Sequence, residues 1–120
     1  MGFIDNLLNR PFRVIGPTEA QEAMERGAVL LDVREPDEWR SGHAPKARHI
    51  PLGQLTSRAG ELPRNREILI VCRSGARSAR AAKVLAAQRG DVANVKGGMS
   101  AWVRAGLPVV AKGGGPGRIA

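Results

Sequence analysis

Residues 68–78 read Ile68-Leu69-Ile70-Val71-Cys72-Arg73-Ser74-Gly75-Ala76-Arg77-Ser78, and an alanine-rich stretch follows to Gln88. The apolar run Ile68 to Val71 has the length and composition of a buried strand, the residues after it those of a tight loop, and Ser78 to Gln88 the pattern of a helix ended by Gly90. Cys72, the chain's single cysteine, stands at the turn. Backbone N–H groups and the positive end of a helix dipole converge on such a position. Arg73 and Arg77 lie within five residues of it. All three effects favour the thiolate, the reactive form of the side chain. A lone cysteine is ordinarily a small buried hydrophobe, but that role has no need of two flanking arginines.

Outward from this unit, strands and helices alternate. Phe12 to Ile15 reads as a short strand. Gly16-Pro17 then turns, and Thr18 caps a helix through Arg26, with Gln21 completing a capping box and Gly27 ending it. Ala28 to Val33 is continuously apolar up to Asp32, as a strand covered on both faces requires. Pro36 to Ser41 reads as a short helix stopped by Gly42. Arg48 to Ile50 is a brief extended piece, and Leu52 to Leu62 a loop with one helical turn. Val92 to Val95 is the last core strand, Gly97-Gly98 a turn and Met99 to Ala105 a final short helix. The alternation specifies an α/β domain with a mostly parallel central sheet and helices on both faces. We divide the chain into an N-terminal segment, 1–11, a domain, 12–111, and a flexible glycine-rich tail, 112–120, that cannot pack. Phe3, Ile4, Leu7 and Leu8 suit a short amphipathic helix on the domain surface.

At 120 residues the chain has room for one domain. One cysteine rules out an internal disulfide and a cysteine-rich zinc site, and the two histidines lack helical spacing for a metal, so no metal or cofactor is expected. No stretch approaches membrane-spanning length, the first ten residues are too short and polar for a secretory signal, and a thiol is most useful in a reducing compartment; a cytoplasmic location is expected. The net charge is +8, distributed as −1 over residues 1–57, +6 over 58–90 and +3 over 91–120. A basic chain suggests nucleic acid, yet only four residues are aromatic and none interleaves with the basic run, which removes the stacking platform of single-strand binders. The excess gathers around Cys72 and suits a small anion.

Parallel sheets bind ligands outside the carboxyl ends of their strands. Asp32-Val33-Arg34-Glu35 occupies that edge after the second strand, so Asp32 and Arg34 are candidate supports for the cysteine loop, or ties between loops. Glu35, Asp37 and Glu38 read as a solvated helix start or as partners of Arg34. His43 reads as a polar contact between loops, His49 as a wall residue, and Trp39 and Trp102 as core anchors.

Five stretches together resemble the rhodanese family of sulfurtransferases: Leu31 to Trp39, Gly42-His43-Ala44-Pro45, His49-Ile50-Pro51-Leu52, Cys72 to Ser78, and Val95 to Trp102. The resemblance covers residues 12–110 in family order. It implies a rhodanese-like domain in which Cys72 is catalytic, taking a sulfane sulfur from thiosulfate or a similar donor as a persulfide. The loop residues Arg73, Ser74, Gly75, Ala76 and Arg77 would cradle that sulfur, and a thiol or cyanide would accept it. An acidic sulfur-acceptor protein is a further expected partner, in a relay toward cofactor or tRNA thiolation. Lys46 departs from the family pattern, standing where a glycine is usual. On the residues alone, Arg73 and Arg77 supply the positive field and hold the donor's oxygens, and Gly75 permits the tight turn. Two other classes are weighed. Cysteine phosphatases and arsenate reductases place an arginine at the position of Ser78, one residue beyond Arg77. A non-catalytic interaction module generally lacks the cysteine.

Overall fold

The computed structural model describes residues 12–120, and the expected N-terminal amphipathic helix lies outside them. The elements are β1 (Arg13–Ile15), α1 (Pro17–Glu25), β2 (Val29–Asp32), α2 (Pro36–Ser41), β3 (Arg48–His49), α3 (Leu55–Arg58) between two 3₁₀ turns, β4 (Ile68–Val71), α4 (Ala76–Ala86), β5 (Val92–Val95) and α5 (Gly98–Arg104). They form one five-stranded sheet in the order β1-β5-β4-β2-β3. Every pairing is parallel. The central strands β2, β4 and β5 are buried along their whole length. That burial is why they read as unbroken apolar runs rather than as alternating ones.

Alternation reappears in how the strands divide between the two faces. Val29, Leu31, Ile68, Ile70, Cys72 and Val92 pack with Leu55 of α3 and with Ala81, Ala82 and Leu85 of α4. Leu30, Leu69, Val71, Ala93 and Val95 pack with Ala20 and Ala23 of α1 and with Met99 and Trp102 of α5. Period-2 geometry therefore sends Cys72, in phase with Ile68 and Ile70, to the α4 side. Trp102 anchors the opposite face: it is fully buried, and its indole N–H donates to the Pro108 carbonyl at 2.9 Å.

Four local expectations are corrected. Helix α1 begins at Pro17 with Gly16 as its N-cap and no side-chain cap bond. Proline has a fixed φ and no N–H to satisfy, so it takes the first helical position, and Thr18 falls inside the first turn. Helix α4 begins at Ala76, two residues before the expected Ser78, because Gly75 adopts φ 115° and turns the chain into the helix there. Trp39 is only half-buried and is no core anchor; its ring stacks on His43 at 3.7 Å and on His49 at 4.8 Å between centroids. The glycine-rich tail folds back. Val110 exchanges backbone hydrogen bonds with His43, Lys112 N–H donates to Arg40 O at 3.1 Å, Arg118 N–H donates to Ser41 O at 3.0 Å, and Ile119 packs on the α1–α5 side. Its glycines bring backbone against backbone: a Cβ at Gly117 would lie 2.5 Å from the Val110 carbonyl carbon.

Lys46 is the only non-glycine residue with positive φ among those described, at 69°. It follows Pro45 in a turn closed by Ala47 N–H donating to Ala44 O at 3.2 Å. Proline then a positive φ is the pattern of a type II turn, whose third position favours glycine. A left-handed L-residue is disfavoured by about 1–2 kcal/mol, partly offset because glycine has more freedom to lose on folding. Lys46→Gly is therefore expected to raise stability by about 0.5–1 kcal/mol, read as a higher midpoint in denaturant. A lower midpoint would contradict this account of the turn.

Candidate active site

The site is the junction of β4 and α4. After Val71 the chain leaves the sheet, and the six residues Cys72 to Arg77 curl so that backbone donors face the cysteine sulfur. Gly75 N–H points at Cys72 Sγ with N···S 3.0 Å, and Ser78 Oγ lies 3.3 Å from the same sulfur. The outer side of the loop is tied to α5. Met99 N–H donates to Cys72 O at 2.7 Å and Ser100 N–H to Arg73 O at 3.0 Å. The first amides of α5, which have no partner inside their own helix, thus fix the loop's first two carbonyls. Gly98 makes this approach possible: its φ is +58°, and a Cβ there would lie 2.6 Å from the Arg73 carbonyl carbon. From β5, Asn94 extends its side-chain N–H₂ toward Gly75 O at 3.4 Å.

The electrostatics follow from this geometry. Burial pushes the Cys72 thiol up, since the residue is 1% exposed, but hydrogen bonds from the Ser78 hydroxyl and from the backbone of Ser78, Gly75 and Ser74 outweigh it. The net direction is down, toward the thiolate. Ser78 Oγ also sits 3.2 Å from Gly75 O. One hydroxyl proton serves one acceptor at a time, and a charged sulfur competes for it better than a neutral carbonyl.

Neither arginine donates a hydrogen bond to the sulfur, although the Arg77 charge interacts with Cys72 through space. Arg77 turns to Glu38, with Nη1–Oε1 2.7 Å and Nη2–Oε2 2.9 Å. Hydrogen bonding to Arg77 outweighs partial burial and holds the Glu38 carboxyl down at about 2. The ion pair is therefore intact at neutral pH and is lost only as pH falls from the ordinary carboxylate range toward that value. Arg73 is exposed and makes no side-chain hydrogen bond within the described residues. The hydrogen-bond donors to the sulfur are amides and a hydroxyl.

Asp32 and Arg34 are fully buried and grip each other. Arg34 Nη2 donates to Asp32 Oδ2 at 2.7 Å and to Gly42 O at 2.6 Å, while its backbone N–H donates to Asp32 Oδ1 at 3.0 Å. Strand pairing puts Asp32 beside Val71, one residue before Cys72. Their side chains fasten the two ends of the α2 segment, and α2 carries Glu38. His49 Nε2, on β3, lies 2.7 Å from Arg34 O, and His43 Nδ1 lies 2.7 Å from Trp39 O in α2.

Sequence reading gave Glu38 as a solvated helix residue or a partner of Arg34, where the structure pairs it with Arg77, and it assigned no site role to Ser78, Asn94 or Gly98. Glu38 had one available signal: an acid three residues after Glu35 is the capping-box spacing, which the structure forms.

A cysteine sulfur facing the Gly75 amide and the Ser78 hydroxyl, at the carboxyl end of a central parallel strand, defines a strand–loop–helix cysteine site. The rhodanese-like domain model matches residues 16–105, and the chain belongs to that family. A sulfurtransferase of Allochromatium vinosum is 44% identical over 87 residues, covering 72% of this chain and 81% of that one. A thiosulfate sulfurtransferase of Pseudomonas syringae pv. syringae is 36% identical over 92 residues, 76% of this chain and 87% of that one. The crystal structure of a rhodanese-related protein from Thermoplasma volcanium superimposes with a TM-score of 0.79 at 31% identity, covering 84% of this chain and all of that one. No helix among the described residues is long and apolar enough to cross a membrane.

Removing one donor tests the electrostatic account. Ser78→Ala is expected to raise the Cys72 thiol pKa and to slow alkylation by iodoacetamide at neutral pH, read from the pH dependence of the alkylation rate. An unchanged profile would show that the hydroxyl does not bond the sulfur.

Proposed function

We propose that the protein is a sulfurtransferase that takes a sulfane sulfur onto Cys72 and passes it to a thiophilic acceptor. The observation that carries this reading is the pair of donors at 3.0 Å and 3.3 Å on Cys72 Sγ. They favour an anionic sulfur, and the loop's remaining amides suit a second sulfur attached to the first. The thiolate attacks the outer sulfur of the donor. With thiosulfate, the S–S bond breaks, sulfite leaves with the electron pair, and Cys72 becomes a persulfide. No general base is needed where the thiolate is already the favoured form. With no second cysteine to attack the persulfide, the sulfur passes to an external nucleophile, cyanide in the assay tube or a thiol. The likeness to a thiosulfate sulfurtransferase of Pseudomonas syringae pv. syringae supports thiosulfate as a donor.

A phosphatase or arsenate reductase reading loses support at two positions. The place where such loops carry arginine is Ser78, whose hydroxyl faces the sulfur, and Arg77 is taken by Glu38. A relay to a protein acceptor uses the same persulfide and differs only in what receives it.

Incubation with thiosulfate, desalting and intact mass spectrometry is expected to show one added sulfur atom, removed again by cyanide with release of thiocyanate. Cys72→Ser is expected to lose both the mass shift and all turnover while keeping the circular dichroism of the parent. Turnover persisting in the folded serine variant would end the persulfide mechanism.

A further inference from the structure

Arg77 closes the loop that holds Cys72, yet its guanidinium faces away to Glu38 in a two-point ion pair. Glu38 is held in place by its own element. It occupies the third position of α2, where its Oε1 also accepts the Glu35 N–H at 2.9 Å. That helix is fastened in turn by the buried Asp32–Arg34 fork through the Gly42 carbonyl. Both partners keep contact with solvent, the side chains being 35% exposed for Arg77 and 18% for Glu38. The pair therefore lies at the solvent-facing side of the loop rather than in the core.

Loop amides at the start of α4, joined by an arginine with its fork free, would make a site for a tetrahedral dianion. Glu38 removes that capacity twice. It occupies the end-on Nη1/Nη2 fork of Arg77, and its fixed carboxylate repels a second negative group arriving beside it. The amides of Ser74, Gly75 and Ser78 are left, and those converge on a single sulfur.

We propose that Glu38 sets donor selectivity at this site: by holding Arg77 it weakens thiosulfate, sulfate and phosphate alike, and favours a donor whose sulfane sulfur arrives on an organic persulfide. The proposal rests on the sulfurtransferase reading and deepens it. With such a donor, Cys72–S⁻ attacks the outer sulfur of R–S–SH. The donor's S–S bond breaks, R–S⁻ leaves with the electron pair, and Cys72–S–SH keeps the proton. The leaving group carries one charge at the reacting end, whereas thiosulfate releases sulfite with two. Glu38 acts through Arg77 and is a positioning residue.

The test compares the wild type with Glu38→Gln, Arg77→Gln and the double variant. Cyanide is the acceptor and thiosulfate or glutathione persulfide the donor, and sulfate binding is titrated by calorimetry. Glu38→Gln keeps an acceptor for the Glu35 N–H and frees the Arg77 fork. It is expected to lower the thiosulfate KM and the sulfate Kd by about tenfold, the range of a hydrogen bond to a charged group. The thiosulfate-to-persulfide ratio of kcat/KM then rises by a similar factor. In the Arg77→Gln background the same change is expected to add less than about twofold, because the two residues form one unit. A structural role alone would instead depress turnover of both donors. Folded Glu38→Gln with ratio and sulfate affinity at wild-type values, or an equal gain without Arg77, would overturn the proposal. If Glu38→Gln does not fold, Glu38→Asp, which draws the carboxylate back from Arg77, must move both readouts in the same direction, and no movement would overturn it too. Failure of the wild type to turn over either donor would strike the sulfurtransferase reading, while the sulfate titration would still decide the role of Glu38.

Discussion

A negatively charged sulfur in a residue that is 1% exposed has to be compensated by donors fixed in advance. The rest of the site can be read as the means of fixing them. The donors are Gly75 N–H and the Ser78 hydroxyl, with the neighbouring amides of Ser74 and Ser78. Backbone donors cannot swing away as side chains can, provided the loop that carries them is held. Two elements hold it: α5 binds its first carbonyls through Met99 and Ser100, and Asn94 of β5 reaches the Gly75 carbonyl. The sheet order places β5 directly beside β4, so these supports come from the neighbouring strand and the helix that follows it.

The other side of the site is built from β2 and α2. The buried Asp32–Arg34 fork looks at first like an active-site charge pair. Its contacts are with Gly42 and with itself, and one guanidinium nitrogen, Nη1, has no partner within the described residues. Breaking such a buried pair is far more damaging than its net worth suggests, because a charge is left stranded. Its consequence for the site is geometric. It sets where α2 begins, and thereby where Glu38 meets Arg77. Three of the eight basic side chains in residues 58–90 are paired locally: Arg77 with Glu38, Arg58 with Glu61 and Arg89 with Asp91.

Much of this was legible in the chain. Ile68–Val71, Val92–Val95 and Pro36–Ser41 have the bounds read from the sequence, because buried apolar runs and an early proline are unambiguous local signals. The reactive setting of Cys72 was legible for a related reason: strand, loop and helix are contiguous, so the amides that face the sulfur are neighbours in sequence. What failed was pairing over distance. Composition shows that Arg77 is basic but not that Glu38, 39 residues away, will claim it. Gly97-Gly98 reads as a turn, yet the need for glycine at 98 arises from the Arg73 backbone packed against it. The tail misled in the same way. A glycine-rich segment has no side chains to pack, but its backbone fits against Arg40 and Ser41 because nothing projects to prevent it.

The central claim is that loop amides, rather than arginines, hold the sulfur. The most direct measurement is the amide ¹H–¹⁵N spectrum recorded before and after one equivalent of sulfur is loaded on Cys72, with mass spectrometry confirming the load. The account predicts that the N–H resonances of Ser74, Gly75 and Ser78 move most, downfield, while the Arg73 and Arg77 side-chain resonances barely change. A loaded protein whose loop amides stay in place while the arginine resonances shift would contradict it.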